Sequence, residues 1–200
     1  MLKIFFITVA MITALTFAAQ ATETSPASFY AYAHNEGEYT VLLPEAPRVE
    51  TIWADQPTPI PYLEGAAAAE GAVGEVASFT RVDPETEDYF DVKITFLKAD
   101  KAFLAGLTQE KMHQAIENDY KDIRLENQNF DFLVGTGGVL KWATLTGFSV
   151  DKHDRPFYHA EHYLAGQKSI LVVKTQYSVE HKKFEQYYKT LAGSITYRAP

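Results

Sequence analysis

The feature that most constrains this chain is a strand pair with strict period two. Residues 75–82 and 89–97 are rich in β-branched and aromatic residues, and the polar run 83–88 joins them. In the second segment Phe90, Val92, Ile94 and Phe96 alternate with Asp91, Lys93 and Thr95. Such alternation puts one apolar face against a core and one polar face toward water, as in an antiparallel hairpin. Pro84 after Asp83 presets the turn. A sheet with one such face must bury it, so the remaining segments have to supply its cover.

Further strands are expected at 29–33, 38–43, 48–53, 124–134, 139–150, 156–165, 168–177 and 194–197. Pro44 and Pro47 stop the second of these or hold it at a sheet edge. Gly166 and Gln167 form a hairpin turn. Two helices are expected. The first spans 108–123, with Thr108 as N-cap, Leu107 stapling to Met112, and Met112, Ala115, Ile116, Tyr120 and Ile123 on one face. The second spans 179–192, capped by Ser178, with Phe184, Tyr187, Tyr188 and Leu191 at i, i+3, i+4 and i+7 and Gly193 at its end. Strands segregated from helices mean an α+β fold: an antiparallel β-sheet flanked by two main amphipathic helices in a single domain. Between the strands lie a proline-rich extended stretch (56–61) and an Ala/Gly-rich connection (65–74).

Residues 1–21 read as a secretory signal peptide. Lys3 precedes an apolar run from Ile4 to Ala19, which ends in the small-x-small pattern Ala19-Gln20-Ala21. The run is too short for a bilayer span and no basic cluster follows. The expected domain is 22–200, periplasmic or secreted, with no membrane span after cleavage. The chain has no cysteine, which excludes disulfides, Cys-ligated metal and attachment of a lipid through a lipobox. A formal net charge of −8 argues against nucleic-acid partners.

The strand ending in proline (Tyr39-Thr40-Val41-Leu42-Leu43-Pro44), the helix at 108–123, the hairpin through Gly166-Gln167 and the closing helix into Leu191-Ala192-Gly193-Ser194-Ile195 together resemble the PsbP-like superfamily. That group includes the photosystem II extrinsic P subunit, the Ran-binding Mog protein and the envelope protein DcrB. The resemblance covers most of 22–200, in element order more than in motif, and brings no catalytic motif. It implies an antiparallel sheet flanked by helices that serves as a binding or assembly-accessory module.

Chemistry-bearing residues are densest at Asp151-Lys152-His153-Asp154-Arg155 and at His159, Glu161 and His162. On a strand His159 and Glu161 share a face while His162 joins Tyr158 and Ala160 on the other. One metal ion is therefore conceivable on His153, His159 and Glu161, against the alternative of a polar strand face beside a charged loop. Ser149, Asp151 and His153 are hydrolase residue types, but no GxSxG elbow accompanies them. Gly135–Lys141 lacks the Gly-Lys-Ser/Thr order of a phosphate loop. The acidic turn at 83–91 lacks EF-hand spacing. Twelve Tyr and 13 Phe make an aromatic groove the other site candidate, with Tyr158, Tyr163, Tyr177 and Trp142 as its residues. The reading expected from the residues is a non-enzymatic module without cofactor, whose partner is a protein or small molecule of the cell envelope. The alternative is a metal-binding protein or metal-dependent enzyme.

Overall fold

The computed structural model describes residues 29–34, 38–53, 72–135 and 140–198. The leader, the polar tail, the turn at 35–37, the proline-rich stretch, residues 65–71 of the Ala/Gly connection and the glycines at 137–138 lie outside them. Ten strands and three helices follow in order: β1 (Tyr30–His34), β2 (Tyr39–Leu43), β3 (Arg48–Trp53), β4 (Ala72–Val82), β5 (Tyr89–Lys98), α1 (Lys101–Ala105), α2 (Gln109–Asp119), β6 (Glu126–Val134), β7 (Lys141–Val150), β8 (Pro156–Ala165), β9 (Ser169–Ser178), α3 (Lys182–Ser194) and β10 (Thr196–Tyr197). Seven strands form the main sheet in the order β3-β4-β5-β9-β8-β7-β6, and β1-β2-β10 form a small second sheet. Every neighbouring pair is antiparallel. The α+β class is as expected; among the described residues the helices number three, where two main ones were expected.

The main sheet is covered on both faces. On one, Val92, Ile94 and Phe96 of β5 and Leu164, Leu171 and Val173 of β8 and β9 meet Tyr39, Val41 and Leu43 of β2 and Phe184, Tyr187 and Leu191 of α3. On the other, Leu145, Tyr163, Ile170 and Val172 meet Leu104, Met112 and Ile116 of α1 and α2. β8 and β9 lie in the middle and are buried on both faces over most of their length.

The local rules of capping and turns explain the boundaries. Thr108 caps α2 as expected, its hydroxyl accepting from Lys111 N at 3.3 Å. In the β4–β5 turn Asp83 Oδ1 accepts from Glu85 N at 2.9 Å and Thr86 N at 3.3 Å, an Asx turn. Three expectations are corrected. α2 ends at Asp119, not at 123. Ser178 does not cap α3: it is the last residue of β9, where its hydroxyl accepts from Tyr89 N at 3.1 Å, and α3 starts at Lys182 behind His181. The third is α1, which is capped by Asp100 accepting from Phe103 N at 2.7 Å. Its carbonyl end is held by Lys141, whose Nζ donates to Leu104 O and Ala105 O at 2.9 Å and to Leu107 O at 2.5 Å.

Gly166, at the β8–β9 turn, is required by close approach. A Cβ there would lie 2.6 Å from Tyr197 Cε2 and 2.8 Å from the Tyr39 hydroxyl, so both rings would have to move. Gly166→Ala is expected to destabilise the fold by about 1–3 kcal/mol, the usual cost of overpacking. Urea unfolding of the purified variant checks this; an unchanged midpoint would show that the small sheet yields without cost.

Candidate functional site

Strand β8 carries the polar residues, and the pleat sends them to opposite sides. His159, Glu161 and Tyr163 point toward α2. His159 Nε2 hydrogen-bonds Ser149 Oγ at 2.7 Å, and its ring stands edge-on to Tyr120. Burial lowers its pKa to about 4, so it is neutral at physiological pH. Glu161 is 0% exposed. Its Oε1 lies 3.3 Å from Lys174 Nζ, which in turn donates to Asp119 Oδ2 at 2.6 Å. Tyr163 OH also donates to Asp119 Oδ2, at 3.3 Å. Desolvation is the largest influence on Glu161 and raises its pKa to about 8; Lys174 opposes that rise and Asp119 adds to it. These groups tie the end of α2 to the sheet centre.

The structure does not bring together the expected metal candidates His153, His159 and Glu161. His153 sits on the exposed β7–β8 loop. There its N–H donates to Asp151 Oδ1 at 2.8 Å, and Arg155 Nε binds Asp151 Oδ2 at 2.9 Å. His159 and Glu161 are buried beneath α2. Among the described residues no group of three or more His, Asp or Glu is placed to hold a metal ion. The hydrolase arrangement is absent too: Ser149 pairs with His159 instead of His153. No carboxylate hydrogen-bonds that imidazole among the described residues, and a base of pKa about 4 is too weak for the work at neutral pH.

The opposite side of β7 and β8 is different. There α3 and the small sheet pack on the β4-β5-β9 part of the face. On the β7 part Trp142, Thr144 and Thr146 are half-buried and Phe148 is 36% exposed. Register places Thr144 beside His162 and Phe148 beside Tyr158. Trp142 Nε1 donates to Thr144 Oγ1 at 2.9 Å, and Thr144 Oγ1 lies 3.0 Å from His162 Nδ1. An indole N–H can only donate, which leaves the threonine hydroxyl proton for His162 Nδ1. His162 then carries its own proton on Nε2. The reverse tautomer would strand both the hydroxyl proton and a bare Nε2, and is disfavoured.

His162 is 5% exposed, and its Nε2 has no hydrogen-bond partner among the described residues. Burial lowers its pKa to about 4, so this group is a neutral donor. Its ring is stacked with Tyr188 at 6.3 Å and edge-on to Trp142 at 6.3 Å. Tyr188 also contacts Tyr158 and Tyr177, at centroid distances of 5.0 and 5.7 Å.

Three of the four expected groove residues, Trp142, Tyr158 and Tyr177, therefore share this face. Tyr163 does not: it is one residue out of phase with His162 and points into the α2 core. Sequence reasoning missed Thr144, Phe148, His162 and Tyr188 as members. The period-two series Trp142, Thr144, Thr146, Phe148 was the available signal.

No family model matches the chain, and no curated protein matches it. Two of the solved structures it is similar to are as follows. One is the solution structure of cyanobacterial PsbP (CyanoP) from Synechocystis sp. PCC 6803, at 10% identity and a TM-score of 0.47, over 90% of this chain and 98% of that one. The other is the crystal structure of LpqN, involved in cell envelope biogenesis of Mycobacterium tuberculosis, at 11% identity and a TM-score of 0.41, over 86% and 91%. Their likeness concerns the fold alone, and no residue role is taken from either.

The buried groups set a pH profile of stability. Glu161 is raised in the folded state, so its contribution is complete below its unfolded value near 4.5 and is lost as pH rises through about 8. His159 and His162 are depressed, so their contribution is present above 6.5 and lost as pH falls toward about 4. Stability is expected to peak near pH 6.5 and to decline on the alkaline side by about 1.4 kcal/mol per pH unit at most. In Glu161→Gln that alkaline decline should vanish while the acid limb remains. Denaturant titrations from pH 5 to 8.5 measure both; an alkaline limb that persists in the variant would contradict this assignment.

Proposed function

We propose that the protein is a non-enzymatic binding or assembly-accessory module of the cell envelope, and that the open face of β7 and β8 is its contact surface. The observation that carries the reading is the relay Trp142–Thr144–His162. It leaves one buried N–H, His162 Nε2, without a partner among the described residues, on a ring stacked with Tyr188 and edge-on to the half-buried indole. A buried donor without a partner costs about 1–3 kcal/mol, a cost that a bound acceptor oxygen relieves. Aromatic residues with a wet edge are the usual anchors of such contacts. The groups with enzyme-like chemistry, His159, Glu161 and Lys174, are engaged on the other side of the sheet in holding α2. The envelope address rests on the signal-peptide pattern of residues 1–21.

The test is cross-linking capture from envelope extracts with wild type, Trp142→Ala and Val82→Ala. Val82 is an exposed apolar residue on the distant β4–β5 hairpin. One partner should be recovered with wild type and Val82→Ala and fall at least about ten-fold with Trp142→Ala, the loss expected of an anchoring aromatic. Recovery indifferent to Trp142, or no specific partner at all, would overturn the proposal.

A further inference from the structure

A second site lies at the other end of the sheet, independent of the face just described. A cleft of about 610 Å³ opens between β1 and the β3 edge, within the size range of small-molecule sites. Its walls are the whole of β1, Val49 and Thr51 of β3, Gly74 and Glu75 of β4, and Phe96 and Lys98 of β5. The sequence pattern marks none of these as a site.

The polar groups in the cleft are incompletely matched to one another. Glu75 Oε1 accepts from both Tyr32 OH and His34 Nδ1, the latter at 2.5 Å. One oxygen is thereby saturated and the carboxylate is fixed in place, while Oε2 takes no hydrogen bond among the described residues. The Glu75 side chain is 25% exposed, so that oxygen is reachable. His34 is 4% exposed and stacks on Phe96. With its proton on Nδ1, its Nε2 is a bare acceptor, buried and without a partner among the described residues. Burial also holds His34 below the usual histidine range, against the pull of Glu75, which keeps the ring neutral. Lys98, on the same wall, makes no ion pair among the described residues. The cleft thus offers one reachable carboxylate oxygen that lacks a donor and one ammonium that makes no ion pair among the described residues, beside the rings of Tyr30 and Phe96.

We propose that this cleft binds a small zwitterion of the amino-acid class, with an ammonium group and a carboxylate on one short skeleton. The ligand ammonium meets Glu75 Oε2. Its carboxylate meets Lys98 Nζ. Its carbon skeleton lies against Phe96 and Tyr30. A simple cation meets only Glu75 and leaves Lys98 opposing it, and a simple anion leaves Glu75 Oε2 without a donor.

The test is thermal unfolding of the purified protein with each of the twenty L-amino acids and γ-aminobutyrate at about 10 mM, with n-butylamine and butyrate as single-charge controls. At least one zwitterion should raise the Tm by about 4 °C or more, and both controls by less than half as much. The rise should disappear in Glu75→Gln and in Lys98→Met. Lys98 is exposed, so if Glu75→Gln fails to give a native circular-dichroism spectrum, Lys98→Met decides. No shift with any zwitterion, a shift equalled by butylamine or butyrate, or a shift retained in Lys98→Met would each overturn the proposal.

Discussion

Everything in this structure depends on burying β8 and β9 from both sides. A strand covered on one face tolerates any polar residue on the other. A strand covered on both has no wet side, so each polar group on it needs a partner inside the protein. β8 nevertheless carries His159, Glu161 and His162, and β9 carries Lys174. The layers on either side are arranged around those residues. Asp119 closes α2 where it can bind Lys174 and Tyr163, and Ser149 of β7 faces His159.

The two faces resolve the same constraint differently. Toward α2 Lys174 binds Asp119 and lies 3.3 Å from the buried Glu161, Ser149 meets His159, and desolvation keeps His159 neutral and raises Glu161. Toward α3 the cover stops short of β7. Trp142 and Thr144 complete the hydrogen bonding of His162 from the side, and one N–H remains. One strand thus holds a structural polar cluster and a candidate contact surface back to back, a residue apart.

Much of this was legible in the sequence, for physical reasons that differ by element. The β4–β5 hairpin and the Thr108 cap rest on contacts a few residues long, and both are found where they were read. The face assignment of His159 and Glu161 against His162 follows from the pleat alone. What was missed depends on distant partners. α1 is five residues long and is held at its carbonyl end by Lys141, more than thirty residues away. Ser178 looked like a helix cap because its partner, the Tyr89 amide, lies on β5. Strand phase places His159 and Glu161 together but says nothing of the loop that carries His153, which the structure sets apart from them. Tyr163 was grouped with Tyr158 and Tyr177 by composition, although its odd spacing from Tyr158 places it on the other side. The cleft at Glu75 was invisible because it is assembled from four strands of two sheets.

The most direct measurement is the state of the His162 imidazole, read by long-range 1H–15N correlation NMR between pH 8 and pH 5. The account requires a neutral ring with its proton on Nε2 throughout that range, since burial depresses its pKa to about 4. A proton on Nδ1 would leave Nε2 a bare acceptor with no donor for a partner, and an imidazolium forming near pH 6.5 would show a ring open to water; either would contradict it.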